Sequence, residues 1–198
     1  MRLNRWEFNC MNNPLRRLLM AQVELVRFTR LLAQAQVDLR GSQILDVACG
    51  SGYSSWLLRQ TFHPSLLSAF DLMPEQLALA QGQGADLLFQ ADLARLPLQD
   101  HSFDAAFGFG ILHHVEDWRT CAAELARVLR PGGWLLLEEP NAAAAQWFRQ
   151  WAGFAIPRRA GFSFEELTHE FQQLGCIKKG QAVIWLAPFQ AFLWQKTV

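Results

Sequence analysis

The stretch Ile44-Leu45-Asp46-Val47-Ala48-Cys49-Gly50-Ser51-Gly52-Tyr53-Ser54-Ser55 narrows the architecture more than any other part of the chain. An apolar run containing one acid, Asp46, leads into a cluster of small residues. A helical pattern starts at Tyr53. That order reads as a β-strand, a tight turn and a helix N-terminus. Residues without bulk let the backbone bend sharply and let a ligand come close. The helix start adds unpaired N–H groups and a positive dipole end. Small residues also serve plain strand–helix turns, so the loop alone defines no ligand.

The rest of the chain alternates the same two patterns. Asn13-Pro14 reads as an N-cap followed by proline in the first turn, opening a helix over 15–35 with Leu15, Leu18, Leu19, Val23, Val26, Leu31 and Leu32 near helical period. Strands are expected at 43–47, 66–70, 86–90 and 103–109, with helices at 53–62, from Pro74 to 81, and at 117–129. Pro131-Gly132-Gly133 is read as the turn into a fifth strand, 134–138. Ser163 and Glu166 form a capping box for a helix over 164–174 ending at Gly175. Segments 177–185 and 188–194 then read as two strands joined too briefly for a crossover, hence an antiparallel pair. The expected fold is α/β: a Rossmann-like, doubly wound, mostly parallel seven-stranded sheet ending in an antiparallel C-terminal hairpin.

Bulk properties exclude several classes. At 198 residues, one domain with a substantial core is expected. Eighteen basic and eighteen acidic residues give zero formal charge, which argues against nucleic-acid binding. Arg16-Arg17, Arg158-Arg159 and Lys178-Lys179 are short basic clusters, read as solvated faces. The four cysteines, Cys10, Cys49, Cys121 and Cys176, are dispersed without a CxxC pair, which speaks against a metal site or a disulfide framework. No signal-peptide core or membrane-length apolar run occurs, so a cytoplasmic protein is expected.

In open α/β sheets, ligands sit beyond the carboxyl ends of the strands, where the strand order reverses. Asp46 and the glycine loop, Asp71 after Leu66-Leu67-Ser68-Ala69-Phe70, Asp92 in Ala91-Asp92-Leu93, and Gly108-Phe109-Gly110 all fall at such ends. Leu112-His113-His114-Val115 and Leu129-Arg130-Pro131-Gly132-Gly133 follow in order. With these motifs, residues 42–140 resemble the class I S-adenosylmethionine-dependent methyltransferases, in the small-molecule branch that includes quinone-biosynthesis-like enzymes. The resemblance implies a single methyltransferase domain: an N-terminal helical cap over 1–41, a cofactor-binding core over 42–140, an acceptor-side lid over 141–164, and a C-terminal helix and hairpin over 165–198.

The resemblance also implies residue roles. The loop Ala48, Cys49, Gly50 and Gly52 would pack under the methionine and ribose of S-adenosyl-L-methionine, although the family usually has glycine where Ala48 stands. Asp46 would orient the loop and help hold the ammonium end; its plainer role is to cap a nearby turn. Asp71 would accept both ribose hydroxyls, each a charge-assisted bond of about 1.5–3 kcal/mol; its plainer role is an N-cap before Pro74. Leu72 and Met73 would lie against adenine, and Ala91, Asp92 and Leu93 near the adenine amino group. Gly108 and Phe109 would line the methionine side. No metal is implied.

His113 and His114 follow strand 4, on the rim where an acceptor approaches. A neutral imidazole there could take a proton from an acceptor that must lose one. An imidazole bonded to a backbone carbonyl is the competing structural role; Glu138 and Glu139 are weaker candidates for a base. The acceptor is expected between the N-terminal segment (Trp6, Phe8, Met11, Asn12, Asn13) and residues 141–164, where Trp147, Phe148, Trp151, Phe154, Ile156 and Phe162 interleave with Arg149, Arg158 and Arg159. Trp147, Trp151 and Phe154 share one helix face. That face would pack as a lid on the core, line a pocket for a small apolar or aromatic acceptor, or touch a membrane surface. Two other functions compete. A non-catalytic module would bind the cofactor without turnover. A nicotinamide-dependent dehydrogenase would use Gly50-Ser51-Gly52-Tyr53-Ser54-Ser55 and Asp71, but the terminal strand pair leaves no second nucleotide half.

Overall fold

The computed structural model describes residues 5–151, 156–157, 161–184 and 189–197, with the side chains of Arg5, Met11 and Phe148 also outside the description. Seven strands form one sheet in the order β3-β2-β1-β4-β5-β7-β6. They are β1 (Gln43–Val47), β2 (Leu66–Asp71), β3 (Leu87–Gln90), β4 (Phe103–Phe109), β5 (Leu129–Pro140), β6 (Cys176–Val183) and β7 (Phe189–Lys196). β1 to β5 pair in parallel. β7 inserts antiparallel between β5 and β6. The expected doubly wound sheet with its terminal hairpin is therefore present.

Eight α-helices are described: α1 (Arg5–Met11), α2 (Pro14–Leu19), α3 (Leu25–Gln34), α4 (Tyr53–Phe62), α5 (Pro74–Ala80), α6 (Trp118–Val128), α7 (Ala142–Trp151) and α8 (Phe164–Gln173). Local chemistry explains their starts. The Asn13 side chain accepts the Arg16 N–H at 2.8 Å ahead of Pro14. The Asp117 side chain caps α6 by accepting from Thr120. Ser163 and Glu166 form the reciprocal capping box of α8.

The structure departs from the sequence reading in three places. The helix expected over 15–35 is interrupted by a π-helical turn, Met20–Glu24, and α1 precedes it. The wider turn carries Glu24, a buried acid that a regular apolar stripe does not foretell. Pro131-Gly132-Gly133 is not a turn ahead of β5 but an arch within it. The pairing jumps from Phe103↔Leu129 to Ala105↔Trp134, so residues 130–133 bulge out and the ladder resumes. In α7 the buried side chains among those described are Ala144 and Ala145, whereas Trp147 and Trp151 are exposed, so the face that carries these two tryptophans does not pack on the core. Phe154, Arg158 and Arg159 lie outside the described residues.

The strands separate two cores by their alternation. Leu45 and Val47 face a layer containing Cys121 and Leu125 of α6 and Leu167 and Phe171 of α8. Ile44 faces Phe28 and Leu31 of α3 and Leu57 and Leu58 of α4. Asp46 shares the α4 side. The chain leaves β1 towards β2 on one side, and β4 lies on the other, so a crevice opens above the carboxyl ends of β1 and β4.

Candidate active site

A cleft occupies that crevice. Its floor is the loop after β1 (Ala48, Cys49, Gly50, Ser51, Tyr53), and one wall comes from Asp71, Leu72 and Met73 after β2 with Ala91, Asp92 and Leu93 after β3. The other wall is Phe109, Ile111, His114 and Val115 after β4. Asn12, Arg16, Arg17 and Met20 of the N-terminal helices close it.

Asp71 joins the loop directly. One carboxylate oxygen accepts the Gly50 N–H at 2.9 Å, and the other accepts the Met73 N–H at 2.9 Å. Each oxygen thereby keeps capacity for a further donor. Burial pushes the Asp71 carboxyl up, and its backbone hydrogen bonds oppose the shift. Gly50, at φ +54°, has open space where a Cβ would stand, so the floor is bare backbone there. Gly52 is different: a Cβ would meet Ala80 Cα at 2.9 Å, so this glycine lets the loop pack on α5. Ala48 takes φ +52°, a left-handed conformation that costs an alanine about 1–2 kcal/mol.

Asp46 lies beneath this floor. It is fully buried and accepts the hydroxyls of Ser54 (2.7 Å) and Ser55 (2.6 Å), tying β1 to the first turn of α4. Burial, only partly offset by those hydroxyls, pushes its carboxyl up to about 6.

At the far end of the cleft, β5 contributes two adjacent carboxylates to opposite faces. Glu139 accepts the N–H groups of Ile111 (2.9 Å), Leu112 (2.7 Å) and His113 (3.3 Å) and contacts His113 Nδ1 at 2.8 Å. His113 is thus turned away from the cleft, and its ring lies 4.1 Å from that of His114. His114 faces the cleft with a buried Nδ1 that has no partner among the described residues. Burial, with His113 beside it, holds His114 well below the usual imidazole range. Glu138, on the other face, is buried, and desolvation raises it well above the usual carboxylate range. Glu24 nearby is pushed up by burial, and Arg16, 2.5 Å away, opposes that shift.

Of the residues singled out from sequence, Ala48, Cys49, Gly50, Asp71, Leu72, Met73, Ala91, Asp92, Leu93, Phe109 and His114 converge on the cleft. Asp46, Gly52, Gly108 and His113 stand behind its walls. At Gly108 a Cβ would meet Leu137 Cδ2 at 2.7 Å, so that glycine serves strand packing. Residues 141–164 contribute no side chain to the cleft among the described residues; Ile156 and Phe162 are core, with the Phe162 and Trp118 rings 4.8 Å apart. The sequence reading passed over Arg16, Arg17, Met20, Tyr53, Gln76 and Ile111. The Arg16-Arg17 pair divides: Arg16 meets buried Glu24, while Arg17 is exposed and stands over the Tyr53 ring. The eight-residue spacing of Arg16 and Glu24 along one helical segment is the signal that could have paired them.

A doubly wound sheet with a terminal antiparallel hairpin, an acid-anchored glycine loop at the switch point and a further acid after β3 defines the class I methyltransferase fold. Residues 45–137 match the family described as methyltransferase domain. Over 118 residues the chain is 36% identical to the phthiotriol/phenolphthiotriol dimycocerosates methyltransferase of Mycobacterium tuberculosis, covering 57% of this chain and 43% of that protein. It is 35% identical over 126 residues to the O-methyltransferase rstn1 of Aspergillus nomiae, covering 60% and 55%. The chain thus spans about half the length of these relatives. A solved S-adenosylmethionine-dependent methyltransferase from Thermotoga maritima superposes with a TM-score of 0.69 at 18% identity, covering 97% of this chain and all of that one. A chain of the complex between the Haloferax volcanii Trm112 methyltransferase activator and a methyltransferase superposes with a TM-score of 0.76 at 19% identity, covering 98% and 100%. At such identities the likeness is one of fold.

Proposed function

We propose that the protein is an S-adenosylmethionine-dependent methyltransferase acting on a small acceptor of apolar or aromatic character. One observation carries this reading: Asp71, with acceptor capacity left on both oxygens, is bonded to bare backbone at Gly50 on the floor of the cleft. The two hydroxyls of an adenosine diol can donate to such an acid. Leu72 and Met73 supply an apolar seat for a purine, and Asp92, exposed on the wall, an acceptor for its amine. Ala48, Cys49, Gly50 and Phe109 flank the methionine end. Asp46, Gly52 and Gly108 act from behind, holding the loop and strands in place.

The bound cofactor supplies a methyl group already activated on a sulfonium. The chain's own task is then to position the acceptor and exclude water. Met20, Phe109, Ile111 and Val115 make the acceptor end largely apolar. The relatives' names, a dimycocerosates methyltransferase and an O-methyltransferase, agree with a small-molecule acceptor. His114 is the residue placed to take a proton from an acceptor that must lose one. Burial favours its neutral form, in which one ring nitrogen can accept a proton. The lid role of 141–164 is confined in this reading to covering the core. No helix among the described residues is long and apolar enough to cross a membrane, and we place the protein in the cytoplasm. Zero formal charge speaks against a nucleic-acid partner.

Calorimetry with S-adenosylhomocysteine tests the assignment. The unaltered chain should bind it, and Asp71→Ala should weaken binding at least about tenfold, or about 1.4 kcal/mol. Unchanged affinity would remove Asp71 from the site.

A further inference from the structure

Glu139 is a densely hydrogen-bonded carboxylate, and the reading above gives it no role. It is fully buried at the end of β5. Oε1 accepts the Ile111 and Leu112 N–H groups, and Oε2 accepts the His113 N–H and faces His113 Nδ1 at 2.8 Å. Three backbone N–H groups and one ring nitrogen lie against the two oxygens, so the acceptor sites of the carboxylate are occupied. A residue engaged in this way cannot also be the base.

The four bonds all end on one short segment, the 3₁₀ turn Leu112–His114 and the residue before it. That segment carries Ile111 and His114 into the cleft. The bond to His113 Nδ1 puts that ring's proton on Nδ1 and fixes its plane. The fixed ring lies 4.1 Å from His114, whose own backbone N–H bonds Ile111 O at 3.1 Å within the same turn.

We infer that Glu139 is a positioning residue: acting through the 111–114 turn and the His113 ring, it sets the direction in which His114 meets the acceptor. The inference rests on the reading of His114 as the acceptor-side group. Glutamine cannot replace the carboxylate, because its amide nitrogen would point two donors at two donors. Aspartate keeps both oxygens but withdraws them by one methylene.

The test uses the ¹⁵N-labelled full chain and long-range ¹H–¹⁵N spectra of the histidine rings, with S-adenosylhomocysteine as the cofactor-side probe. The unaltered protein should show His113 protonated on Nδ1 alone. Glu139→Gln should lose that signature and move the His114 ring resonances, while affinity for S-adenosylhomocysteine stays within about threefold of the unaltered chain. If Glu139→Gln does not fold, Glu139→Asp takes its place with the same measurements. His113 protonated on Nε2 in the unaltered chain would overturn the inference, as would His114 resonances that stay put in the variant. A tenfold loss of cofactor-side affinity in the folded variant would also overturn it, by making Glu139 a support of the whole cleft. Failure of the unaltered chain to bind S-adenosylhomocysteine would count against the proposed function, while the ring spectra still decide the role of Glu139.

Discussion

Single residues in the glycine loop do different jobs that look alike in sequence. Ala48 and Gly52 both take positive φ, but only Gly52 is pressed against α5. Ala48→Gly should therefore stabilise the fold, by up to about 1 kcal/mol, by relieving a left-handed alanine. Gly52→Ala should destabilise it by about 2 kcal/mol or more, since it adds conformational strain and a clash with Ala80. Urea unfolding of the two variants measures both, and equal effects would contradict the distinction. Asp46 gives a pH signature. Its carboxyl is raised in the fold, to about 6, so the folded state binds the proton more tightly than the unfolded chain does. The associated stability is complete below the ordinary carboxylate value and is lost as pH rises through about 6. Asp46→Asn removes that dependence. Relative to the unaltered chain, the variant should gain on the order of 3 kcal/mol between pH 3.5 and pH 7.5, read from unfolding midpoints at the two ends. A difference that does not vary with pH would mean that Asp46 is not the buried acid described.

Among the elements, the N-terminal helices and the end of β5 hold each other. Arg16 in α2 faces Glu24 in the π turn, and it also interacts with Glu138 at the end of β5. Arg16→Met leaves two buried carboxylates without their cation and should cost about 3–5 kcal/mol. Replacing Glu24 by methionine as well should recover much of that loss, because removing both charges restores an apolar contact. Chemical unfolding of the single and double variants tests the pair; equal stabilities would show that Arg16 stabilises nothing. Helix starts at Asn13-Pro14, Pro74 and Ser163, and the capping box of α8, were readable from sequence because a cap is a contact between near neighbours. The π turn and the arch in β5 were not. Each trades local regularity for a distant contact: Arg16 on Glu24 in one case, and the renewed pairing of β4 with β5 in the other.

At the scale of the molecule, ligand linkage separates the competing functions. A ligand bound only by the folded state raises stability by about 2.7 kcal/mol at a hundred times its dissociation constant. S-adenosylmethionine and S-adenosylhomocysteine should therefore raise the melting temperature of this chain, and NAD should not. The reverse pattern would favour the dehydrogenase reading.

Apolar runs, small-residue turns and caps within 42–140 are enough to dictate the order of strands and helices and the acids at their ends, because each is set by residues adjacent in the chain. Topology then brings the carboxyl ends of β1 to β4 together, so most of the residues that line the cleft could be named without coordinates. The end of the cleft beside β5 and the N-terminal helices could not. Whether Arg16 meets solvent or Glu24, which of His113 and His114 faces the cleft, and which of Glu138 and Glu139 is saturated with donors depend on side chains from β5, the 111–114 turn and the N-terminal helices meeting in space. Burial and hydrogen-bond pairing between such distant segments have no counterpart in local spacing, and they fix those placements in the folded chain.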